Sequence, residues 1–178
     1  AGCASYDATL SVPKCTIVGS FCDSGSLLDG RASISGGPEP NQPNTLLNAC
    51  ADGTSGAYHV DESNDRIRIS TQDGGPFVEG KTVRIDASVW AFSNPGADRL
   101  DLFGAPDATN PVWTLIATLT PSTSGGQTLS ANYVLPAGTL QAVRARFRFG
   151  GAASSCGTGE FDDHDDLGRR ALRQHPHA

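Results

Sequence analysis

Two acidic segments hold the side chains most able to do chemistry. Residues 159–168, GEFDDHDDLG, carry five carboxylates and one histidine, and residues 50–65, CADGTSGAYHVDESND, carry four carboxylates. Carboxylates packed together repel one another unless a cation or a proton compensates the charge. The two segments therefore suggest three kinds of site: a solvated acidic rim, a catalytic carboxylate pair, or a site for a hard cation.

A calcium site is the hypothesis that best explains why these residue types occur together. Ca²⁺ takes about six to eight oxygen ligands from carboxylates, carbonyls and amides, whereas Mg²⁺ keeps more water. The loop spacing of an EF-hand is absent. We predict a Ca²⁺ site with four ligands, namely Asp52, Glu62, Asp163 and Asp166. Further candidate ligands are Asp61, Asp162 and Asp165.

Strand alternation limits which of these carboxylates can share one ion. Along Phe161 to Leu167 it sends Asp162 and Asp166 to one face and Asp163 and Asp165 to the other. We expect backbone oxygens to complete the shell and His164 to be a packing or hydrogen-bond neighbour. A Zn²⁺ site that uses His59 and His164 and a solvated acidic rim are the alternatives.

Motifs for catalysis are weak in this chain. The segment CDSGS faintly echoes the nucleophile motif of trypsin-like proteases, but the flanking glycines and a matching histidine are missing. No GxSxG, HExxH or P-loop occurs. A glycosidase needs two carboxylates at a fixed separation, which nineteen acidic residues satisfy by chance. We therefore expect a protein that is not an enzyme.

A row of arginines forms the second candidate surface. Arg144, Arg146 and Arg148 alternate with apolar residues on one predicted strand, and Trp90 lies on the polar face of another. The set would be a possible ligand face for an extracellular polysaccharide or a protein surface, with Trp90 as a stacking platform. The alternative is a solvated outer sheet face whose arginines pair with neighbouring aspartates such as Asp101.

The five cysteines indicate an oxidising compartment. They include no CxxC pair and no histidine at zinc-finger spacing. We predict two disulfides, Cys15–Cys22 and Cys50–Cys156, with Cys3 left over, and a secreted, extracellular location. A Cys50–Cys156 bridge would bring both acidic segments to the same end of the molecule.

Period-two alternation predicts the fold. From Arg66 onward, segments such as DRIRIS, KTVRIDASVWAF and LQAVRARFRF place apolar and polar residues on opposite faces, and turn signals separate them. This pattern is typical of an all-β, antiparallel sandwich of the jelly-roll kind. We expect residues 1–48 to form a loop-rich, disulfide-stapled extension packed on the sandwich, and residues 49–167 to form the sandwich itself.

Charge and hydropathy exclude two classes of partner. The net charge of −6 opposes nucleic-acid binding, which needs a positive field. No apolar run approaches the roughly 20 residues that a membrane helix needs.

Eight segments together resemble a domain at the C-terminal end of secreted bacterial enzymes, in particular extracellular proteases of myxobacteria and similar bacteria. The likeness spans residues 5–167, and the eight segments read CDSGSLLDGR, EPNQPNTL, CADGTSGAYHVDESNDRIRI, GKTVRIDASVWAF, DRLDLF, PVWTLIATLTP, QTLSANYVLPAGTLQAVRARFRFGG and CGTGEFDDHDDL. The resemblance implies a non-catalytic jelly-roll accessory module, akin to Ca²⁺-binding carbohydrate-binding or proprotein-like sandwiches.

The chain departs from that pattern after Leu167. The family continues as a hydrophobic strand ending near VFAV, whereas this chain continues as GRRALRQHPHA. We therefore expect residues 168–178 to be a disordered basic tail and the last strand to be incomplete. An incomplete strand would leave an unpaired edge through which copies of the chain could self-associate by strand exchange.

Overall fold

The computed structural model describes residues 2–174, which form ten β-strands in two sheets. The strands are β1 (Ser5–Asp7), β2 (Val12–Cys15), β3 (Phe21–Asp23), β4 (Ser63–Thr71), β5 (Thr82–Ala91), β6 (Asp98–Ala105), β7 (Thr114–Leu119), β8 (Gly125–Val134), β9 (Leu140–Phe149) and β10 (Asp163–Arg170). Two single-turn 3₁₀ helices, Leu46–Asn48 and Pro95–Ala97, interrupt the loops.

The strands are arranged as a two-layer β-sandwich. One sheet has the order β1-β2-β10-β9-β6-β7 and the other has the order β3-β4-β5-β8. Neighbouring strands pair antiparallel except β2 and β10, which pair parallel. The all-β, two-sheet prediction is confirmed, and the jelly-roll connection stays a prediction.

Alternating residues of both sheets form the core. Ile67 and Ile69 of β4 are fully buried between the sheets, and on the opposite sheet Leu100 and Phe147 are equally buried. Outward-facing positions of β4 and β5 are polar or half-exposed. Sequence alternation therefore predicted the inner faces of these strands correctly.

Strand β7 departs from a simple alternation of buried and exposed residues. The pairing of β6 with β7 shifts between Leu102 and Phe103. Leu115 is consequently 47% exposed, while Ile116 and Leu119 pack against the core. A bulge of this kind re-aims side chains and cannot be read from a period of two alone.

The N-terminal extension is part of the sandwich, because β1, β2 and β3 are strands of its two sheets. The prediction that the last strand stops after Leu167 is wrong. β10 continues to Arg170, Ala171 is buried, and the Leu172 N–H donates to the Phe77 carbonyl. Residues 175–178 of the expected basic tail lie outside the described residues.

Because β10 lies between β2 and β9, it is an interior strand and leaves no unpaired edge at this position. The strand-exchange reading therefore loses the edge on which it depended.

Both predicted disulfides are present. Cys15 is bonded to Cys22 and Cys50 to Cys156, which leaves Cys3 as the free and exposed cysteine of the described chain. Between residues 2 and 174 there is also no helix with the length and apolar character of a membrane span.

Candidate metal centre

Four carboxylates converge in the interior at one end of the sandwich. Oxygens of Glu39, Asp52 and Asp163 lie within 4.8 Å of one another, and the Asp165 carboxylate interacts with that of Glu39. All four side chains are at least nine-tenths buried. We call these four residues the acidic cluster.

Hydrogen bonds hold three of the carboxylates through one oxygen or both. The His164 N–H donates to Asp52 Oδ1 at 2.6 Å, and the Asn64 N–H donates to Asp163 Oδ2 at 2.7 Å. Glu39 accepts from Asn44 Nδ2 at 2.8 Å and from the Ala32 N–H at 3.3 Å. These donors orient the carboxylates toward one another.

Several oxygens of the cluster have no donor. Among residues 2–174, none donates a hydrogen bond to Asp52 Oδ2, Asp163 Oδ1 or either carboxylate oxygen of Asp165. An unpaired buried carboxylate is among the costliest groups a fold can hold. Burial raises the pKa of Asp163 and Asp165 well above the ordinary value, and the neighbouring carboxylates add to that rise. The arrangement therefore concentrates carboxyl groups whose ionisation burial and mutual repulsion make costly.

The geometry suits one hard cation. Calcium–oxygen distances are about 2.3–2.6 Å, so ligands on opposite sides of a Ca²⁺ ion lie about 4.8 Å apart. The oxygens of Glu39, Asp52 and Asp163 fall within that span. The donor atoms of the cluster are oxygen alone, the kind that hard cations prefer.

Three separate segments deliver the cluster: the loop around Glu39, the loop after Cys50, and β10. Alternation along β10 turns Asp163 and Asp165 inward, on the same face as the buried Leu167. The loop after Cys50 is fastened to the segment before β10 by the Gly53 N–H bond to the Asp162 carbonyl, 2.8 Å long. The Cys50–Cys156 disulfide closes the same end.

A buried arginine braces these loops without neutralising the cluster. Arg31 is fully buried, and its guanidinium donates to the backbone carbonyls of Gly53, Ser55, Glu160 and Glu62. Its charge opposes the rise in the pKa of Asp163 but is the smallest of the effects on that group. Its guanidinium donates to loop carbonyls and not to the carboxylates, so the acidic cluster keeps its excess of negative charge.

The structure does not bring all of the predicted ligands together. Asp52 and Asp163 belong to the acidic cluster, and so does Asp165 from the further candidates. Asp166 is instead held by Arg144, with Nε–Oδ1 at 2.7 Å and Nη2–Oδ2 at 2.8 Å. Asp162 lies on the same outer face and accepts from Arg146. Both are therefore neutralised on the opposite side of β10.

Glu62 and Asp61 lie apart from the cluster. Glu62 is buried beside Asp98, and each affects the pKa of the other. Asp61 accepts from the Ala57 N–H at 2.9 Å. The structure therefore places Glu62 beside Asp98 of β6 and not among the carboxylates of the acidic cluster.

The arginine ladder, formed by Arg144, Arg146 and Arg148, is not a solvated face. Each of the three is at most 6% exposed. Their outer nitrogens donate to carbonyls of the 150–155 loop, while Arg148 also pairs with Asp101 at 2.7 Å. Pairing with aspartates was expected, but the loop covers the ladder and removes it as a ligand face.

Trp90 is similarly occupied. Tyr58, His59 and Trp90 form one stack, with centroid separations of 3.7 Å and 4.3 Å. Gly37 lies so close to the outer face of Tyr58 that a Cβ there would collide with the ring, and Gly126 lies against Trp90. One face of Trp90 is therefore taken up by His59 within the stack.

The two histidines of the zinc alternative belong to different groups. His59 Nε2 lies 2.7 Å from Asp65 Oδ2 within its stack. His164 Nε2 accepts from the Gly157 N–H at 3.0 Å, while its own backbone N–H holds Asp52. Cys50 and Cys156, which lie near His164, are joined to each other and so are not thiolate ligands.

Sequence reasoning missed Glu39. It stands in the segment SGGPEPNQPN, where no charge density marks it, and only the folded loop carries it to β10. No protein-family model matches the chain, and no curated protein matches it either. The candidate function therefore depends on the geometry of the acidic cluster.

Proposed function

We propose that this chain is a non-catalytic, secreted, calcium-binding β-sandwich module of jelly-roll type that stabilises or attaches an extracellular protein. Its place in a host polypeptide would be that of the accessory domains of secreted bacterial enzymes that its motifs resemble. Ca²⁺ is the proposed ligand of the acidic cluster, Glu39, Asp52, Asp163 and Asp165.

One observation carries the proposal. Four buried carboxylates share a small volume, and several of their oxygens accept no hydrogen bond from residues 2–174. Protons could also neutralise these carboxylates, but the folded state would then lose stability as the pH rises toward neutral. A divalent ion removes the repulsion and satisfies the oxygens at once.

A bound ion would hold separate segments of the chain together. Its ligands would come from the loop around Glu39, the loop after Cys50, and β10. These segments are far apart in sequence and contain little regular structure of their own, apart from β10. Ca²⁺ would therefore stabilise the loop-rich end of the sandwich, with one face of β10 bound to the ion and the other to the arginine ladder.

The first prediction tests the metal directly. Purified protein should contain Ca²⁺ by elemental analysis, and a strong chelator should lower its melting temperature. Saturation at 100 times the dissociation constant stabilises by about 2.7 kcal/mol, which corresponds to about 5–10 °C for a domain of this size. Differential scanning calorimetry with and without chelator measures the difference.

The variant Asp165→Asn separates metal binding from general stability. It keeps the shape of the side chain but removes one charge from the acidic cluster, so the chelated variant should melt higher than chelated wild type and respond little to Ca²⁺. Asp73→Asn, at an exposed turn, is the matched control and should respond like wild type. Wild-type protein that contains no metal and melts identically in chelator would sink the proposal.

A further inference from the structure

A narrow cleft lies apart from the acidic cluster and does not share its carboxylates. It has a volume of about 60 Å³ and is lined by Asp61, Glu62, Phe92, Phe149 and Phe161. Its three phenylalanines come from the end of β5, the end of β9 and the segment before β10. We call it the aromatic cleft.

The rings of the aromatic cleft form a three-sided box. Phe149 lies 6.1 Å from Phe92 with an interplanar angle of 87°, and 6.1 Å from Phe161 with an angle of 73°. Two rings therefore stand nearly perpendicular to a third. Phe149 is 48% exposed, which leaves the box accessible from solvent. The faces of aromatic rings carry negative potential and attract cations.

The buried carboxyl group of Glu62 closes the fourth side, with Asp98 beside it. Glu62 is 1% exposed, and its Oε2 accepts no hydrogen bond from any residue between 2 and 174. Asp98 beside it is fully buried, and its Oδ1 is equally without a donor in this range, while its Oδ2 accepts from the Phe92 N–H at 2.9 Å. A carboxyl oxygen without a hydrogen-bond donor among residues 2–174 therefore lies against the box.

The neighbouring cations are engaged elsewhere. Arg31 donates to the backbone carbonyl of Glu62, and Arg99 donates to the carbonyls of Gly96 and Asp98. Neither forms a salt bridge with the Glu62 or Asp98 carboxylate in the described part of the chain. The site is thus complementary to a positive charge that the protein does not supply.

We infer that the aromatic cleft binds a small alkylammonium ion, with its carbon atoms against the three rings and its charge toward Glu62. A metal ion suits this site poorly, because a hard cation seeks about six to eight oxygens and three walls here are hydrocarbon. An alkylammonium ion matches both the aromatic faces and the carboxylates.

The protonation of the Glu62 and Asp98 pair agrees with this assignment. Burial, together with Asp98 and Asp61, raises the pKa of Glu62 to about 8. Near neutral pH the Glu62 and Asp98 carboxyl groups therefore retain a proton between them, and the bound cation would take its place.

The test uses tetramethylammonium chloride as the probe, with the whole chain saturated with Ca²⁺. Isothermal titration calorimetry should detect saturable binding, and NMR should show shifted phenylalanine ring resonances. Sodium chloride at the same ionic strength and tert-butanol, a neutral molecule of similar shape, should produce neither effect. Methylammonium chloride distinguishes a primary from a quaternary ammonium group as the preferred form.

Two variants examine the two halves of the site. Phe149→Leu removes a ring face and Glu62→Gln removes a charge, and each should weaken binding about tenfold. Tyr6→Leu and Glu79→Gln make the same kinds of change elsewhere and should leave binding unchanged. If Glu62→Gln does not fold, Asp61→Asn replaces it.

Three results would overturn the inference: no saturable binding of tetramethylammonium, equal binding of tert-butanol, or unchanged affinity in both cleft variants. The calcium proposal does not depend on these outcomes, because Glu39, Asp52, Asp163 and Asp165 do not line the aromatic cleft.

Discussion

At the scale of single residues, Arg169 is the side chain whose environment conflicts most with its chemistry. It is fully buried on the inner face of β10, where its Nη2 donates to Gln141 Oε1 at 3.1 Å. Its Nε and Nη1 find no acceptor among residues 2–174, and the guanidinium lies 5.5 Å from the Phe77 ring centroid. Burial lowers its pKa. Because residue 169 lies on the same face of β10 as Leu167, the alternation of buried residues predicts an apolar side chain there.

We predict that Arg169→Met stabilises the protein. Replacing a buried charge by an apolar side chain of similar volume removes its desolvation cost and gains about 1–4 kcal/mol in the free energy of unfolding. Arg170→Met, at the exposed neighbouring position, is the matched control and should change stability by less than about 0.5 kcal/mol. Urea denaturation monitored by fluorescence measures both. A less stable Arg169→Met protein would contradict the prediction.

At the scale of elements, the arginine ladder explains how β9 and β10 are held together on their outer face. Arg146 donates to Asp162 through Nε and Nη2, at 3.0 Å and 2.9 Å. It also donates to the carbonyls of Ala152 and Ser154, which fastens the loop over the sheet. One side chain therefore joins β9, the residue just before β10 and a loop.

Arg146→Ala is expected to be strongly destabilising. It leaves the nearly buried Asp162 without its partner and two loop carbonyls without their donor, at a cost of about 3–5 kcal/mol. Arg84→Ala removes an arginine from an exposed pair with Asp86 and should cost only about 0–1 kcal/mol. Equal losses for the two variants in chemical denaturation would show that the ladder is not the stabilising element.

At the scale of the whole molecule, one end of the sandwich gathers its distant segments. The Cys50–Cys156 disulfide spans 106 residues and lies at the same end as the acidic cluster and Arg31. The Cys15–Cys22 disulfide spans only 7 residues and joins the consecutive strands β2 and β3, which belong to different sheets. The two bridges thus restrict the unfolded chain to very different degrees.

We predict unequal effects of removing the two disulfides. In the chain-entropy model, loss of the long loop costs about 5 kcal/mol and loss of the short one about 2 kcal/mol. The paired variants Cys50→Ala with Cys156→Ala, and Cys15→Ala with Cys22→Ala, should show this order in thermal melts in Ca²⁺. The reverse order would mean that native-state strain, and not loop closure, controls their contributions.

The sequence by itself determined the all-β class, most strand positions and the disulfide pairing. These depend on local or pairwise patterns: apolar residues at every second position, turn residues between them, and cysteines at the ends of predicted strands and loops. It also determined that Asp163 and Asp165 share a face of β10, opposite Asp162 and Asp166, since a strand has a period of two.

Only the tertiary structure decided which carboxylates meet. Glu39 reaches the acidic cluster from a proline-rich loop, and Glu62 turns away to Asp98, although neither difference is visible in the spacing of acidic residues. The burial of the arginine ladder was decided in the same way, by a loop that folds over the sheet. Local periodicity specifies the face of a side chain, but the loop that covers that face is specified by the packing of segments distant in sequence.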